Sequence, residues 1–244
     1  LAALVDQVVV VEEVEPLVET ELKAQGIKVI GKEILPLQGE LSPNVLRPAI
    51  ARLLGEPVPE RQSTAALQVF PRPPTMCVAC PHLGVYYTLS QVRNLIISGD
   101  IGCYTLGAGH PWNALDTCIS MGASMGTALG MDKGRGKVDE NKKIVAVIGD
   151  STFMHMGMQG LLDITWNRGN VTVLLLDNRA VGMTGGQDNP GTGRDIHGES
   201  AQRVDFAKLC EALGVKKERI HVLDPYQLPV LFKALREETK IPEP

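Results

Sequence analysis

Apolar positions along the chain fall into short runs separated by glycine, proline and polar tips. Val8-Val9-Val10-Val11 is a β-branched run that suits a strand in a sheet covered on both faces. Residues 14–25 are predicted to form a helix stopped by Gly26, and residues 27–30 a second short strand. Ser42-Pro43 opens a helix that runs to Leu54, with proline at the first helical position. From Thr75 onward the pattern alternates. Strands are predicted at Leu95-Ile96-Ile97, at residues 144–148, at residues 171–176 and at Ile220-His221-Val222. Helices are predicted over residues 114–131, 156–166, 204–213 and 225–238. This alternation implies an α/β fold, a mostly parallel open sheet with helices on both faces. Such sheets bind ligands at the carboxyl ends of their strands. Three of the predicted strands end on Gly99-Asp100, Gly149-Asp150 and Asp177-Asn178.

Breakers and charge divide the 244 residues unevenly. Ten of the 16 prolines lie at or before Pro81, and nineteen of the 25 glycines lie between Gly99 and Gly198. Residues 1–40 carry eight acids against three lysines, a net of −5, so the other 204 residues sum to +1. The reading is therefore the end of one α/β domain over 1–54, a Pro-rich linker over 55–74 and a glycine-loaded domain over 75–244. A net charge of −4 offers no basic field for nucleic acid. No apolar run is long enough for a membrane-spanning helix. The start lacks a basic, signal-like segment, so a cytoplasmic location is expected. Both ends look cut, and a fragment is expected. Five cysteines make an odd count, and a disulfide framework is not expected.

The most informative spacing is Gly149-Asp150-Ser151, followed 26 residues after Ser151 by Asp177-Asn178. Each half closes a strand, and a right-handed crossover brings the two tips together. Asp150 and Asn178 side-chain oxygens, with a backbone carbonyl from the next turn, suit a hard divalent cation such as Mg2+. Gly149 lets a phosphate approach the backbone, and Ser151 and Thr152 at the helix start can donate to it. The plainer alternative is a helix-capping Asp and a turn Asn. Met183-Thr184-Gly185-Gly186-Gln187 follows, a loop able to wrap a ligand with backbone donors, or simply a surface loop. Cys77-Val78-Ala79-Cys80 plus Cys103 can supply three thiolates to an iron–sulfur cluster or to zinc. Cys118 and Cys210 are read as core packing, and Glu12, Glu13, Glu15 and Glu19 as a solvated face. No G-x-G-x-x-G opens a helix after a strand, which argues against a nicotinamide site.

The Gly149-Asp150-Ser151 and Asp177-Asn178 pair resembles the cofactor motif of thiamine diphosphate enzymes. With Thr184-Gly185-Gly186-Gln187 beyond it, the chain resembles the 2-oxoacid:ferredoxin oxidoreductases. Cys77 to His82, Ser98 to Gly107 and Leu115 to Ser124 resemble the alpha subunits of the indolepyruvate branch. The resemblance implies a thiamine diphosphate-binding (PP-type) domain over 75–244, after the C-terminal part of a transketolase-C-terminal-like domain over 1–54. It implies Mg2+ held by Asp150, Asn178 and the Ala180 carbonyl, and a [4Fe-4S] cluster on Cys77, Cys80 and Cys103 with a distant fourth Cys. His82 would lie near the aminopyrimidine and His110 would line the substrate pocket. The activity implied is oxidative decarboxylation of an aryl-2-oxoacid to its coenzyme A thioester, with electrons passing to ferredoxin. An N-terminal pyrimidine-binding domain, which carries the activating Glu, and a second subunit would complete the site. Gly109-His110-Pro111-Trp112 and Arg179-Ala180-Val181-Gly182 depart from the family pattern, which leaves the substrate side chain open. The alternatives are a non-oxidative thiamine-dependent decarboxylase or synthase, and a cofactor-binding fragment without turnover.

Overall fold

The computed structural model describes residues 2–58, 70–136 and 141–243. It divides into two compact units, Leu1–Pro71 and Arg72–Pro244. That division falls inside the stretch read as a linker.

In the first unit, α1 (Leu17–Ala24) ends before Gly26 at φ +79°, and α2 (Pro43–Leu54) ends at Gly55 at φ +70°. Both glycines take the left-handed conformation that closes a helix at little cost. The two short strands expected here shrink to one parallel bridge, Val9 to Ile30. Of the valine run only Val10 is buried, while Val9 and Val11 are exposed, so a two-faced strand has nothing to cover it. Glu13 and Glu15 are exposed, as a solvated face requires, but Glu12 and Glu19 depart from that reading. Glu12 accepts from the Val18 and Glu19 amides, each at 2.9 Å, capping α1 from outside the helix. Glu19 is buried, accepts from the Lys32 amide at 2.8 Å and pairs with Lys23 at 2.6 Å.

The second unit is built on a parallel sheet. Its strands are β1 (Leu95–Gly99), β2 (Thr117–Cys118), β3 (Lys143–Gly149) and β4 (Val171–Leu176), in the order β2-β1-β3-β4. The helices are α3 (Pro81–Gln91), α4 (Ser124–Gly134), α5 (Asp150–Thr152), α6 (Met158–Trp166), α7 (Phe206–Ala212) and α8 (Leu228–Glu238). A π-helical turn, Phe153–Gly157, joins α5 to α6. β3 explains the two-faced architecture. Val145 and Val147 pack on one face with Tyr86 and Leu89 of α3 and Leu231 and Leu235 of α8. Ile144, Ala146 and Ile148 pack on the other with Met125 and Ala128 of α4 and Leu161 and Ile164 of α6. Each large apolar side chain buried this way contributes roughly 1.5–3 kcal/mol.

Two predicted elements are corrected. Residues 114–131 are not one helix, because Thr117–Cys118 forms edge strand β2 and the helix starts only at Ser124. The cause is distant in sequence. The Asp116 carboxylate takes the Ile97 amide at 2.7 Å, and Gly122 turns at φ +82°. Cys118 is therefore exposed on an edge strand rather than packed in a helix core. Residues 220–222 form no strand. A cavity of about 460 Å³ separates them from β4, lined by Thr172 to Leu176 on one side and Ile220 to Leu223 on the other. Among the described residues no helix is long and apolar enough to cross a membrane.

Candidate functional site

Asp150 closes β3 and starts α5 as a buried carboxylate, only 2% exposed. Burial, and then the nearby charge of Asp177, push its carboxyl above the usual range. One oxygen, Oδ2, accepts from Asn189 Nδ2 at 3.0 Å. The other, Oδ1, lies 3.1 Å from the terminal amide atom of Asn178, which is also 2.9 Å from the Ala180 carbonyl oxygen. With its amide nitrogen on that side, Asn178 donates to both the Asp150 carboxylate and the Ala180 carbonyl. A cation bound there would take the amide turned the other way, so that its oxygen joins those two. The predicted trio of Asp150, Asn178 and Ala180 is thus brought together in space.

Gly149 permits the close packing beside this trio. A Cβ there would strike the ring of Tyr104, which also covers Gly102. The Tyr104 hydroxyl donates to the Ile101 carbonyl at 2.7 Å and lies 3.0 Å from Thr152 Oγ1. With its one proton spent on Ile101, the phenol accepts from Thr152. Thr152 is therefore a buried pin rather than a free donor, and Ser151, half-buried, keeps its hydroxyl available. Replacing Gly149 by alanine should force the Tyr104 ring aside and destabilise the unit by roughly 1–3 kcal/mol, the range for overpacking a tight core. Thermal unfolding of G149A against the parent checks this, and an unchanged midpoint would refute it.

His82 lies on α3, 3% exposed, with its ring edge-on to Tyr104 at 6.0 Å between centroids. Burial pushes its pKa down, so the ring is neutral at pH 7. His110 is exposed in the turn after the 3-10 segment Cys103–Ala108. Among the described residues no hydrogen bond ties it to Asp150. Thr184 and Gly185 are exposed at a loop tip, where Thr184 Oγ1 donates to Gln187 Oε1 at 2.6 Å. The loop is closed on itself by Val181 N to Gln187 O at 2.9 Å.

Cys77 and Cys80 flank a tight turn before α3. Cys80 N bonds Cys77 O at 3.1 Å, and Tyr226 holds the turn through Ala79 O at 2.6 Å. Desolvation, then the charges of Cys80 and Cys77, raise the Cys103 thiol pKa. A Cβ on Gly182 would come 3.3 Å from Cys103 Sγ and 3.5 Å from Asn178 Nδ2, so this thiol borders the Asn178 loop. Among the described residues no three His, Cys, Asp or Glu side chains are poised around one ion. Cys210 packs in the core against β3 and α6, as expected.

Three residues escaped the sequence reading. Tyr104 gave only an aromatic in a Gly-rich phrase. Asp100, fully buried, accepts from the amides of Ile101, Gly122 and Ser124 at 2.8, 2.7 and 3.0 Å. Asn189 sits in a loop whose return to Asp150 has no local signal.

The family described as "Thiamine pyrophosphate enzyme, C-terminal TPP binding domain" matches residues 100–241. The indolepyruvate oxidoreductase subunit IorA of Pyrococcus horikoshii is 34% identical over 97% of this chain, which spans 40% of that relative's length. Among solved structures, a 2-oxoglutarate:ferredoxin oxidoreductase from Magnetococcus marinus matches with TM-score 0.56 at 16% identity, over 70% of this chain and 62% of the other. Benzoylformate decarboxylase from Polynucleobacter necessarius matches with TM-score 0.51 at 15% identity, over 80% and 37%. At such identities the structural likeness concerns the fold alone. The family match covers more than half of the chain and contains Asp150, Asn178 and Ala180, so the chain belongs to the thiamine pyrophosphate enzyme family, C-terminal TPP-binding domain.

Proposed function

We propose that this chain supplies the diphosphate- and Mg2+-binding half of the active site in an indolepyruvate-type 2-oxoacid:ferredoxin oxidoreductase. The observation that carries the reading is that the Asn178 side-chain amide lies 2.9 Å from the Ala180 carbonyl oxygen and 3.1 Å from Asp150 Oδ1, so that turning the amide gathers three oxygens at one point. Neighbouring ligands of an octahedral Mg2+ bound at about 2.1 Å stand about 3.0 Å apart. The donor set is also right, since hard cations of this kind choose carboxylate, amide and carbonyl oxygen. Asp150 supplies the charge, Asn178 and Ala180 supply neutral oxygens, and the remaining places suit phosphate oxygens. The Ser151 hydroxyl makes no hydrogen bond among the described residues, and the amides opening the helical run that starts at Asp150 favour an anion. His82 and Tyr104 form a buried wall beside these groups, where a neutral His82 can donate or accept a hydrogen bond without carrying charge.

When bound, thiamine diphosphate supplies the nucleophilic carbon and the electron sink for decarboxylation of a 2-oxoacid. The overall reaction proposed joins an aryl-2-oxoacid and coenzyme A, releases carbon dioxide and passes two electrons to ferredoxin. An N-terminal pyrimidine-binding domain, a second subunit and a cytoplasmic setting belong to the same reading. Its support is the similarity to indolepyruvate oxidoreductase subunits along nearly the whole chain. Cys77, Cys80 and Cys103 are proposed as ligands of a [4Fe-4S] cluster whose fourth ligand lies elsewhere, supported by the Cys-x-x-Cys spacing; among the described residues the three thiols are not gathered around one point.

Calorimetric titration of thiamine diphosphate into the protein tests the core of this reading. Binding is expected with Mg2+ and not with EDTA, and equal binding in both would overturn the metal assignment. Anaerobic purification should yield iron and acid-labile sulfide together. Neither, with decarboxylation intact, would favour the non-oxidative alternative.

A further inference from the structure

We infer that Asn189 is a positioning residue that makes Asp150 a one-oxygen metal ligand and so tunes the site toward Mg2+. This rests on the cation reading above and goes beyond it, since Asn189 itself belongs to no motif in the chain. Asn189 is 5% exposed, and its side chain is fully engaged. Its Oδ1 accepts from the Gly191 amide at 2.7 Å, an Asx-turn that fixes the ring of atoms within its own loop. The Thr192 hydroxyl donates to its carbonyl at 2.9 Å. Gly191 in turn presses on Phe206, where a Cβ would come 3.0 Å from the aromatic ring. With the amide oxygen anchored, Nδ2 points at Asp150 Oδ2 at 3.0 Å.

The consequence is chemical. A carboxylate with both oxygens free can chelate an ion with two bonds, a mode common around the larger, more flexible Ca2+ shell. Mg2+ demands near-octahedral geometry and takes one oxygen per carboxylate. Asn189 holds Oδ2 and leaves Oδ1 facing Asn178 and the Ala180 carbonyl, which is the one-oxygen presentation. The same loop delivers both restraints on Asp150: Asn178 and Ala180 stand before the turn closed by Val181 and Gln187, and Asn189 stands just after it. The loop therefore selects the ion as well as holding it.

The test compares the protein with N189L, titrating Mg2+ and Ca2+ separately at saturating thiamine diphosphate, with thermal midpoints recorded alongside. Supporting partners of metal ligands are typically worth 10–100-fold in affinity, so Mg2+ binding should weaken by about that factor. Ca2+ binding should weaken less, and the preference should move toward Ca2+. An unchanged Mg2+ affinity, or an equal loss for both ions, would overturn the inference, because a merely structural role moves both alike. Should N189L lose its fold, Asn189→Ser keeps an acceptor for the Gly191 amide but is too short to reach Asp150, and the same shift is expected. If the unsubstituted protein binds thiamine diphosphate without any cation, the metal reading itself falls, and the inference with it.

Discussion

Asp150→Ala is expected to abolish Mg2+-dependent binding of thiamine diphosphate while leaving the protein folded. Removing one partner of a buried charge pair costs roughly 3–5 kcal/mol. At 1.4 kcal/mol per decade, that is roughly a hundred- to several-thousand-fold in affinity. Stability behaves differently, because without a cation the carboxylate sits uncompensated. Burial raises its folded pKa above the ordinary 3.8. An acid raised in the folded state contributes stability below its unfolded value and loses it as pH climbs through the folded one. The cation-free protein should therefore give up this contribution between acid and neutral pH, and Mg2+ should restore stability most at the upper end. In D150A the pH dependence should flatten and the Mg2+ response should vanish. Thermal midpoints across that pH range, with and without Mg2+, check both signs. A Mg2+ response that survives in D150A would place the cation elsewhere.

The parts of this molecule that could be read from sequence are those whose cause is local. β1, β3 and β4 announce themselves as apolar runs ending on polar tips, and their parallel pairing follows from the strand–helix alternation. Asp150 and Asn178 are legible because each lies at the end of such a strand, and the step of 26 positions from Ser151 to Asp177 fits one crossover helix. What could not be read was set by partners far along the chain. The stretch 114–123 has small and apolar residues that suit a helix, yet it pairs with β1 and turns at Gly122 to meet Asp100. Residues 220–222 have strand-like composition, but pairing needs β4 at ladder distance, and a cavity intervenes. Glu12 and Glu19 looked like surface acids because their amide partners at Val18 and Lys32 carry no side-chain signature. Tyr104 and Asn189 gain their roles only through folding, one between two glycines, the other at the far end of a loop.

Asp100→Ala should be the most destabilising single change at the strand tips, and the reason is countable. The carboxylate is fully buried and accepts three backbone amides, from Ile101, Gly122 and Ser124. Alanine leaves all three donors without that acceptor, at about 1–3 kcal/mol for each that water does not reach. Allowing for relaxation of the exposed neighbours, a loss of about 3–5 kcal/mol is expected. That is a large share of the 5–15 kcal/mol typical of a domain. Asp100→Asn should fall between the two, since its amide oxygen keeps one acceptor but its nitrogen faces an N–H. Urea unfolding with an unchanged slope measures both variants, and a loss under about 1 kcal/mol for D100A would mean that the amides find other partners. The cofactor site should feel the change as well. Ser124 starts α4, and the Asp100 carbonyl holds the Thr105 hydroxyl at 2.8 Å. Thr105 belongs to the 3-10 segment that carries both Tyr104 and Cys103. The Asp100 carboxylate also holds the Ile101 amide at 2.8 Å, and the Ile101 carbonyl accepts from the Tyr104 hydroxyl at 2.7 Å, so the carboxylate helps to set the ring packed on Gly149. D100A should therefore weaken thiamine diphosphate binding even at temperatures where the domain remains folded, though it touches neither the cation nor its ligands.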